Sequence, residues 1–158
     1  MISLEEVRGR LEAGEALESV LVGIEWQDFE QLVSKIFEEH EYKVRTNFRF
    51  KTEKRWEIDV FAVGRLYNFG VDCKFWNRGR YKKSALKEAV NVQKERCEEL
   101  GKFLKGNEIA KRTLKMAQKK VIPLLITWFE EDIAEYNNVI VVPAWKLNEF
   151  LLNCGDYL

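Results

Sequence analysis

The chain has 158 residues, 46% of them hydrophobic, and its 26 basic and 26 acidic side chains give a formal net charge of zero. The length and apolar content predict one globular domain with a sizeable core, and the balanced charge excludes a generic polyanion binder. There is no charged-then-apolar leader and no apolar run of membrane-spanning length, so we expect a soluble, cytoplasmic protein with no membrane partner. The three Cys residues include no CxxC pair and are typical of reduced, buried thiols.

Charge is segregated along the chain. Acidic residues crowd the first forty positions, whereas bases dominate residues 43–55, 74–87 and 102–120. Segregation of this kind can place a basic face around an acidic site, as a nucleic-acid enzyme needs. The alternative is an ordinary solvated face, which is the favoured interpretation for residues 102–120.

Residues 1–23 are predicted to form an N-terminal helical arm, followed by one domain over residues 24–158. Ser3 and Glu6 form a capping box, apolar residues then recur at helical spacing, and Gly14 interrupts the pattern. The arm carries no chemical motif. Packing on its own domain and packing on a second subunit, as in a homodimer, both stay open.

The first core helix is predicted from Trp26 to His40. Five apolar residues form one stripe at helical spacing: Phe29, Leu32, Val33, Ile36 and Phe37. Glu30 lies at the edge of this stripe, so its carboxylate can face the sheet instead of bulk water. An ordinary exposed glutamate is the alternative.

Strict alternation predicts a half-buried strand from Lys43 to Lys51. The inner face carries Val44, Thr46, Phe48 and Phe50. The outer face carries Arg45, Asn47, Arg49 and Lys51. The bases of this outer face, with Arg55 after the following turn, are candidates for contacts with nucleic-acid phosphates.

Residues 57–74 predict a β-hairpin whose turn lies near Gly64. Side chains alternate across a strand, so Asp72 and Lys74 point to one face, and Asp59 can lie beside them on the neighbouring strand. Two carboxylates on a half-buried face repel each other and lose hydration. A hard divalent cation with oxygen ligands would relieve both costs, so the hairpin predicts a metal site.

The same alternation places Glu57, Asp59 and Phe61 on a shared face of the first hairpin strand. Glu57 is either an auxiliary ligand or the partner of a nearby base, and the ion pair is favoured.

Asp59 followed by Asp72-Cys73-Lys74 on the next strand resembles the core motif of the PD-(D/E)xK nuclease superfamily. The similarity is closest to its Mrr-like restriction endonucleases and its archaeal Holliday-junction-resolvase-like members. Two positions depart from the family pattern: Ile58 stands where proline is usual, and the second acid is Asp72 where glutamate is commoner. Both departures keep the charges of the motif.

The resemblance implies a Mg²⁺-dependent phosphodiesterase, with Mn²⁺ as a substitute cation. Asp59, Asp72 and the Cys73 carbonyl would bind metal, and Lys74 would position water and offset charge on the phosphate. In relatives a Phe-Glu pair like Phe29-Glu30 helps to bind metal, which implies that role for Glu30.

Gln93 lies in the middle of the apolar stripe of a helix predicted from Ser84 to Lys105. In many members of the superfamily a glutamine at this place points into the active site, whereas a core glutamine bonded to the backbone is the alternative.

The segment after Lys74 mixes aromatics with bases and contains no acid. Such a loop suits phosphate contacts and base stacking. Its candidates for nucleic-acid binding are Arg78, Arg80, Tyr81, Lys82 and Lys83.

The remaining pattern predicts a helix from Asn107 to Lys120, a buried strand from Val121 to Phe129, a strand from Val139 to Val142 and a last helix opened by Pro143. This order matches the αβββαβ core of the restriction-endonuclease-like fold, an α/β architecture with a mixed central sheet flanked by helices.

We therefore expect a Mg²⁺-dependent endodeoxyribonuclease acting in restriction, repair or junction resolution, with DNA as its partner. The choice between DNA and RNA stays open. The alternative is a catalytically silent DNA-binding or assembly module that keeps the nuclease fold.

Overall fold

A mixed β-sheet runs through the protein, and helices pack on its two faces. The computed structural model describes residues 4–16, 19–20, 25–75, 83–116, 120–128, 131 and 133–158. In these residues the helices are α1 (Leu4–Glu12), α2 (Trp26–Glu39), α3 (Lys83–Lys105), α4 (Glu108–Thr113) and α5 (Leu147–Leu152). The strands are β1 (Lys43–Lys51), β2 (Arg55–Val63), β3 (Asn68–Lys74), β4 (Val121–Thr127), β5 (Glu135–Tyr136) and β6 (Val139–Pro143).

The strand order in the sheet is β1-β2-β3-β4-β6-β5. The first three strands form an antiparallel meander, β3, β4 and β6 are parallel neighbours, and β5 is antiparallel to β6. Parallel neighbours need a crossover, and α3 with α4 supplies the one between β3 and β4. The predicted order of elements is therefore confirmed.

The core has two main parts, one on each face of the sheet. On one face α2 packs through fully buried side chains such as Phe29 and Phe37, together with residues of α5. On the other face α3 packs through Leu100 and Leu104. Helices on both faces explain why β4 reads as a nearly continuous apolar run, because both faces of this strand are covered.

Strands β1 and β2 change face together, which strict alternation did not predict. Ile58 packs on the α3 face with Phe61, although an odd spacing of three should place them on opposite faces. In β1, Val44 packs on the α2 face, whereas Phe48 packs on the α3 face. The predicted single inner face of β1 and the predicted sharing of a face by Glu57 and Phe61 are therefore wrong.

The physical reason for the change lies at Asn47, whose backbone φ is 50°. This left-handed conformation interrupts the pleat between two antiparallel pairs, Thr46 with Val60 and Phe48 with Ile58. Asp59 is the β2 residue at the same level. The interruption thus falls at a carboxylate that the hairpin motif singled out.

Several boundaries differ from the predicted ones. The helix expected to reach Lys120 ends at Thr113, because Lys115 takes a left-handed backbone with φ of 54°. The short strand β5 was not predicted at all. Within the arm, α1 is helical as expected, whereas most of residues 15–23 lie outside the described residues. Among the described residues, no helix is long and apolar enough to cross a bilayer.

Candidate active site

Asp59 and Asp72 meet across the β2–β3 hairpin. The antiparallel register pairs Val60 with Val71, so the next residue on each strand is one of the two acids. Asp59 Oδ2 accepts a hydrogen bond of 3.0 Å from the backbone N–H of Cys73. The β2–β3 pairing ends at Val60 and Val71, and beyond it the Asp59 carboxylate accepts the hydrogen bond that a backbone carbonyl of β2 would otherwise accept.

Burial, together with the contact with Asp72, raises the pKa of Asp59 to about 7. The backbone N–H of Cys73 lowers the pKa, but it does not offset the loss of hydration and the second carboxyl. Because the half-buried Asp59 carboxyl loses hydration and is repelled by the Asp72 carboxylate, its ionised form carries an electrostatic cost in the folded protein. A cofactor with positive charge would remove that cost.

Asp72 is held between two cations on the α3 face of the sheet. Its side chain is only 4% exposed, and Lys74 Nζ lies 3.2 Å from Oδ2 while Arg96 Nη1 lies 3.3 Å from Oδ1. Oδ2 is buried, and it faces Lys74 and the neighbouring Asp59 carboxyl. The three side chains line a cleft of about 280 Å³ against α3, so solvent and ligands can reach the lysine and the arginine.

Gln93 is fully buried and uses its amide on the sheet. Its Nε2 donates a hydrogen bond of 2.8 Å to the Gly70 carbonyl, and its Oε1 accepts one of 3.4 Å from Arg96. The structure shows the bond to the backbone that was the alternative for Gln93. A role of Gln93 in the active site stays a prediction.

Arg96 is the site residue that the sequence analysis missed. It lies three residues after Gln93 on α3, so the two side chains share one side of the helix and lie on the same part of the sheet. That spacing was the available signal. It was not decisive, because basic and acidic residues alternate along the exposed side of α3.

Glu30 comes from α2 and is half-buried. Its carboxylate accepts a hydrogen bond from the Trp26 indole, one helical turn earlier. Burial raises the pKa of Glu30, and the nearby acids Glu57 and Asp72 raise it further. Glu30 Oε1 thus accepts from the Trp26 indole, and the charge of Glu30 raises the pKa of Asp59.

The residues present fit a cation with few protein ligands. In the described residues, no group of three or more His, Cys, Asp or Glu side chains is arranged to hold a metal ion, and the ligand role of Glu30 stays a prediction. Two adjacent carboxylates remain, the half-buried Asp59 and the buried Asp72. Mg²⁺ commonly binds through one or two carboxylates and keeps water and substrate phosphate as its other ligands. This pair matches that pattern.

Arg45, Arg49 and Lys51 of β1 are exposed, as predicted, and so is Arg55 at the start of β2. Because β1 changes face at Asn47, Arg45 lies on the opposite face of the strand from Arg49 and Lys51, so the predicted single basic outer face is wrong. Arg49 Nε lies 3.0 Å from Glu57, so Glu57 has the ion pair that was favoured over a ligand role. Lys83 is exposed at the first residue of α3. The other loop candidates, Arg78, Arg80, Tyr81 and Lys82, lie outside the described residues.

The order of elements, the mixed sheet and the acids on the β2–β3 hairpin define a restriction-endonuclease-like α/β fold. The Mrr-type family model described as "Restriction endonuclease" matches residues 21–134. The chain belongs to this restriction endonuclease family, whose members are of the nuclease type.

Two relatives show how far the likeness extends. An uncharacterized protein of Archaeoglobus fulgidus is 31% identical over 134 residues, which cover 84% of this chain and 94% of the relative. The crystal structure of a protein of unknown function, AF1548, aligns with a TM-score of 0.50 and 19% identity over 81% of this chain. This alignment spans 66% of that structure, just under two thirds of its length, and it supports the fold alone.

Proposed function

We propose that the protein is a Mg²⁺-dependent endodeoxyribonuclease whose active site is formed by Asp59, Asp72 and Lys74. The observation that carries this proposal is the half-buried Asp59 beside the buried Asp72, with a lysine that reaches the α3 cleft. A purely structural role would favour apolar side chains at the Asp72 position, because a buried ion pair is often no more stabilising than well-packed apolar residues. The family supports hydrolysis of a phosphodiester.

Asp59 and Asp72 would hold the cation, with the Cys73 carbonyl as a further oxygen ligand. When bound, Mg²⁺ supplies positive charge for the scissile phosphate and lowers the pKa of a water molecule. The hydrogen bond from the Cys73 N–H orients Asp59 before the cation arrives, so less reorganisation is needed on binding.

Lys74 would act on the substrate. Its side chain is 26% exposed and pairs with Asp72 at the edge of the cleft, so a small movement of the ammonium places it against a phosphate oxygen. There it would position the attacking water and offset the charge that develops on phosphorus. Burial raises the pKa of the Cys73 thiol well above its usual range, so this residue offers its backbone and not a thiolate nucleophile.

The exposed bases of β1 and Arg55 would hold the nucleic-acid backbone near the site. They precede and follow the β1–β2 turn, and Asp59 lies on the same hairpin. Arg and Lys on an exposed strand suit phosphate contacts, which give affinity without sequence readout. We propose DNA as the substrate. Glu30, on α2, would raise the pKa of Asp59 through its negative charge.

The test uses the purified protein with Mg²⁺ or chelator and a panel of duplex, single-stranded, branched and methylated DNA, with matched RNA. Asp59→Ala and Lys74→Ala should abolish cleavage but change DNA affinity by only a few-fold. Glu57→Gln is the matched control, because this acid lies two residues from Asp59 and pairs with Arg49 on the surface. A wild-type protein that binds DNA and cleaves no substrate with Mg²⁺ or Mn²⁺ would be a silent module, and the proposal would fail.

A further inference from the structure

A continuous chain of hydrogen bonds joins the centre of β3 to the carboxylate of Asp72. The Gly70 carbonyl accepts from Gln93 Nε2 at 2.8 Å, Gln93 Oε1 accepts from Arg96 Nη1 at 3.4 Å, and the same Nη1 donates to Asp72 Oδ1 at 3.3 Å. Two residues of β3 are thus linked through two residues of α3. The fully buried end of this chain at Gln93 anchors the guanidinium, which is itself 28% exposed.

Gly70 allows α3 to come close enough for this contact. A Cβ atom at residue 70 would lie 2.5 Å from Cys97 Sγ, a distance that no real side chain tolerates. Cys97 and Gln93 lie one turn apart on α3, and both contact the Gly70 carbonyl. A glycine on the strand therefore determines how closely the arginine can approach the acid.

We infer that Arg96 is a positioning residue for Asp72: by bonding Oδ1, it presents Oδ2 as the single oxygen available to the cation and to Lys74. This inference rests on the proposed function. The geometry supports it, because Arg96 pairs with Oδ1 at 3.3 Å while Oδ2 faces Lys74 at 3.2 Å, and the Asp59 carboxyl lies beside Asp72. An aspartate with both oxygens free could instead turn or bind a cation through both oxygens.

Such a residue has two opposed effects on the reaction. Holding Asp72 in one orientation favours cleavage, because an outer partner that orients a metal ligand typically changes activity about 10- to 100-fold. Its positive charge beside the ligand opposes cation binding. Removing Arg96 should therefore slow cleavage without weakening metal binding, whereas loss of a merely structural residue would weaken both.

The experiment compares Arg96→Gln, Arg96→Lys and the control Lys94→Gln. Lys94 lies two residues away on the same helix and pairs with Asn137, so its loss removes an equal charge without touching Asp72. For each protein we would measure Mn²⁺ binding in the absence of DNA, the melting temperature in chelator, and kcat and KM separately on the preferred DNA substrate.

Arg96→Gln should bind Mn²⁺ more tightly than wild type, with kcat lower by about 10- to 100-fold and KM within about threefold. Arg96→Lys should recover about tenfold of the missing kcat, and Lys94→Gln should behave as wild type. The inference is overturned if Arg96→Gln cleaves at the wild-type rate, or if its Mn²⁺ binding is unchanged or weaker than that of wild type. If the wild-type protein cleaves nothing, the nuclease proposal fails, and Arg96 is then judged by the Mn²⁺ measurement alone, where unchanged or weaker binding would refute the inference.

Discussion

Two neighbouring buried positions on the same face of the sheet carry side chains of opposite character, one charged and one apolar. Asp72 on β3 and Leu125 on β4 are partners in the parallel register, and both are almost completely buried. Leu125 packs in an apolar cluster with Leu86 and Val90 of α3, whereas Asp72 meets Arg96 of the same helix.

The comparison separates stability from function. The leucine contributes through burial and close packing, which need no partner of a particular kind. The aspartate needs two cations beside it, and it also raises the pKa of Asp59. Leu125 on β4 stabilises the fold. Asp72 on β3 carries a charge that the fold does not need and that the proposed reaction would use.

The largest effect is expected on cleavage at the charged position. Asp72→Ala should lower kcat by at least about 10³-fold, because it removes a proposed ligand and a charge placed for the transition state. DNA affinity should change only a few-fold, since phosphate contacts elsewhere supply most of the binding. Single-turnover cleavage and DNA titration of the variant would check both values, and near wild-type turnover would remove Asp72 from the mechanism.

The apolar partner should behave in the opposite way. Leu125→Ala should lower the free energy of unfolding by about 2–5 kcal/mol, because it removes buried methyl groups and leaves a cavity among Leu86 and Val90. Below its melting temperature, this variant should cleave DNA at a rate close to wild type. Urea unfolding of both variants provides the measurement. The comparison fails if Asp72→Ala is the less stable of the two.

A third prediction uses the pH dependence of stability in chelator. Because burial and Asp72 raise the pKa of Asp59 to about 7, the folded protein keeps a proton that the unfolded chain releases near pH 4. The stability of wild type relative to Asp59→Asn should therefore fall as pH rises from about 4 to about 7, by at most about 1.4 kcal/mol per pH unit, and then level off. Chemical unfolding at several pH values tests the sign. A rising difference would mean that Asp59 is stabilised as a carboxylate.

The smallest effect is expected from the exposed bases of β1 and from Arg55. Replacing Arg45, Lys51 and Arg55 by Ala should flatten the dependence of DNA affinity on salt, by about 0.9 in log–log slope for each phosphate that the protein no longer neutralises. Arg8, Lys105 and Arg112, which are exposed on other elements, form a matched triple control. Equal slopes for the two triple variants would mean that the β1 bases are only solvated.

Local patterns predicted the parts of the site that depend on one element. Period-two alternation and the Gly64 turn predicted the hairpin, and the DxK spacing predicted that Asp72 and Lys74 share a face, since neither depends on distant packing. The near-continuous apolar run of β4 likewise predicted a strand with two covered faces.

Features that depend on the meeting of two elements could not be predicted from the pattern. The change of face at Asn47 follows from a left-handed backbone that alternation does not reveal. Arg96 reaches Asp72 only because Gly70 lets α3 approach the sheet. The bond from the Trp26 indole to Glu30 likewise depends on rotamers within α2, which the pattern does not reveal.

The central claim is that Asp59 and Asp72 together hold a cation, and the most direct measurement is the melting temperature with and without Mn²⁺. A cation that binds only the folded protein should stabilise wild type by about 1.4 kcal/mol when the free metal is roughly ten times Kd. Glu57→Gln should show the same rise in melting temperature. Asp59→Asn should melt at or above wild type in chelator, because it loses the repulsion, and Mn²⁺ should raise its melting temperature much less. If Asp59→Asn melts well below wild type in chelator and Mn²⁺ stabilises both equally, Asp59 is a structural hydrogen-bond acceptor and the metal site does not exist.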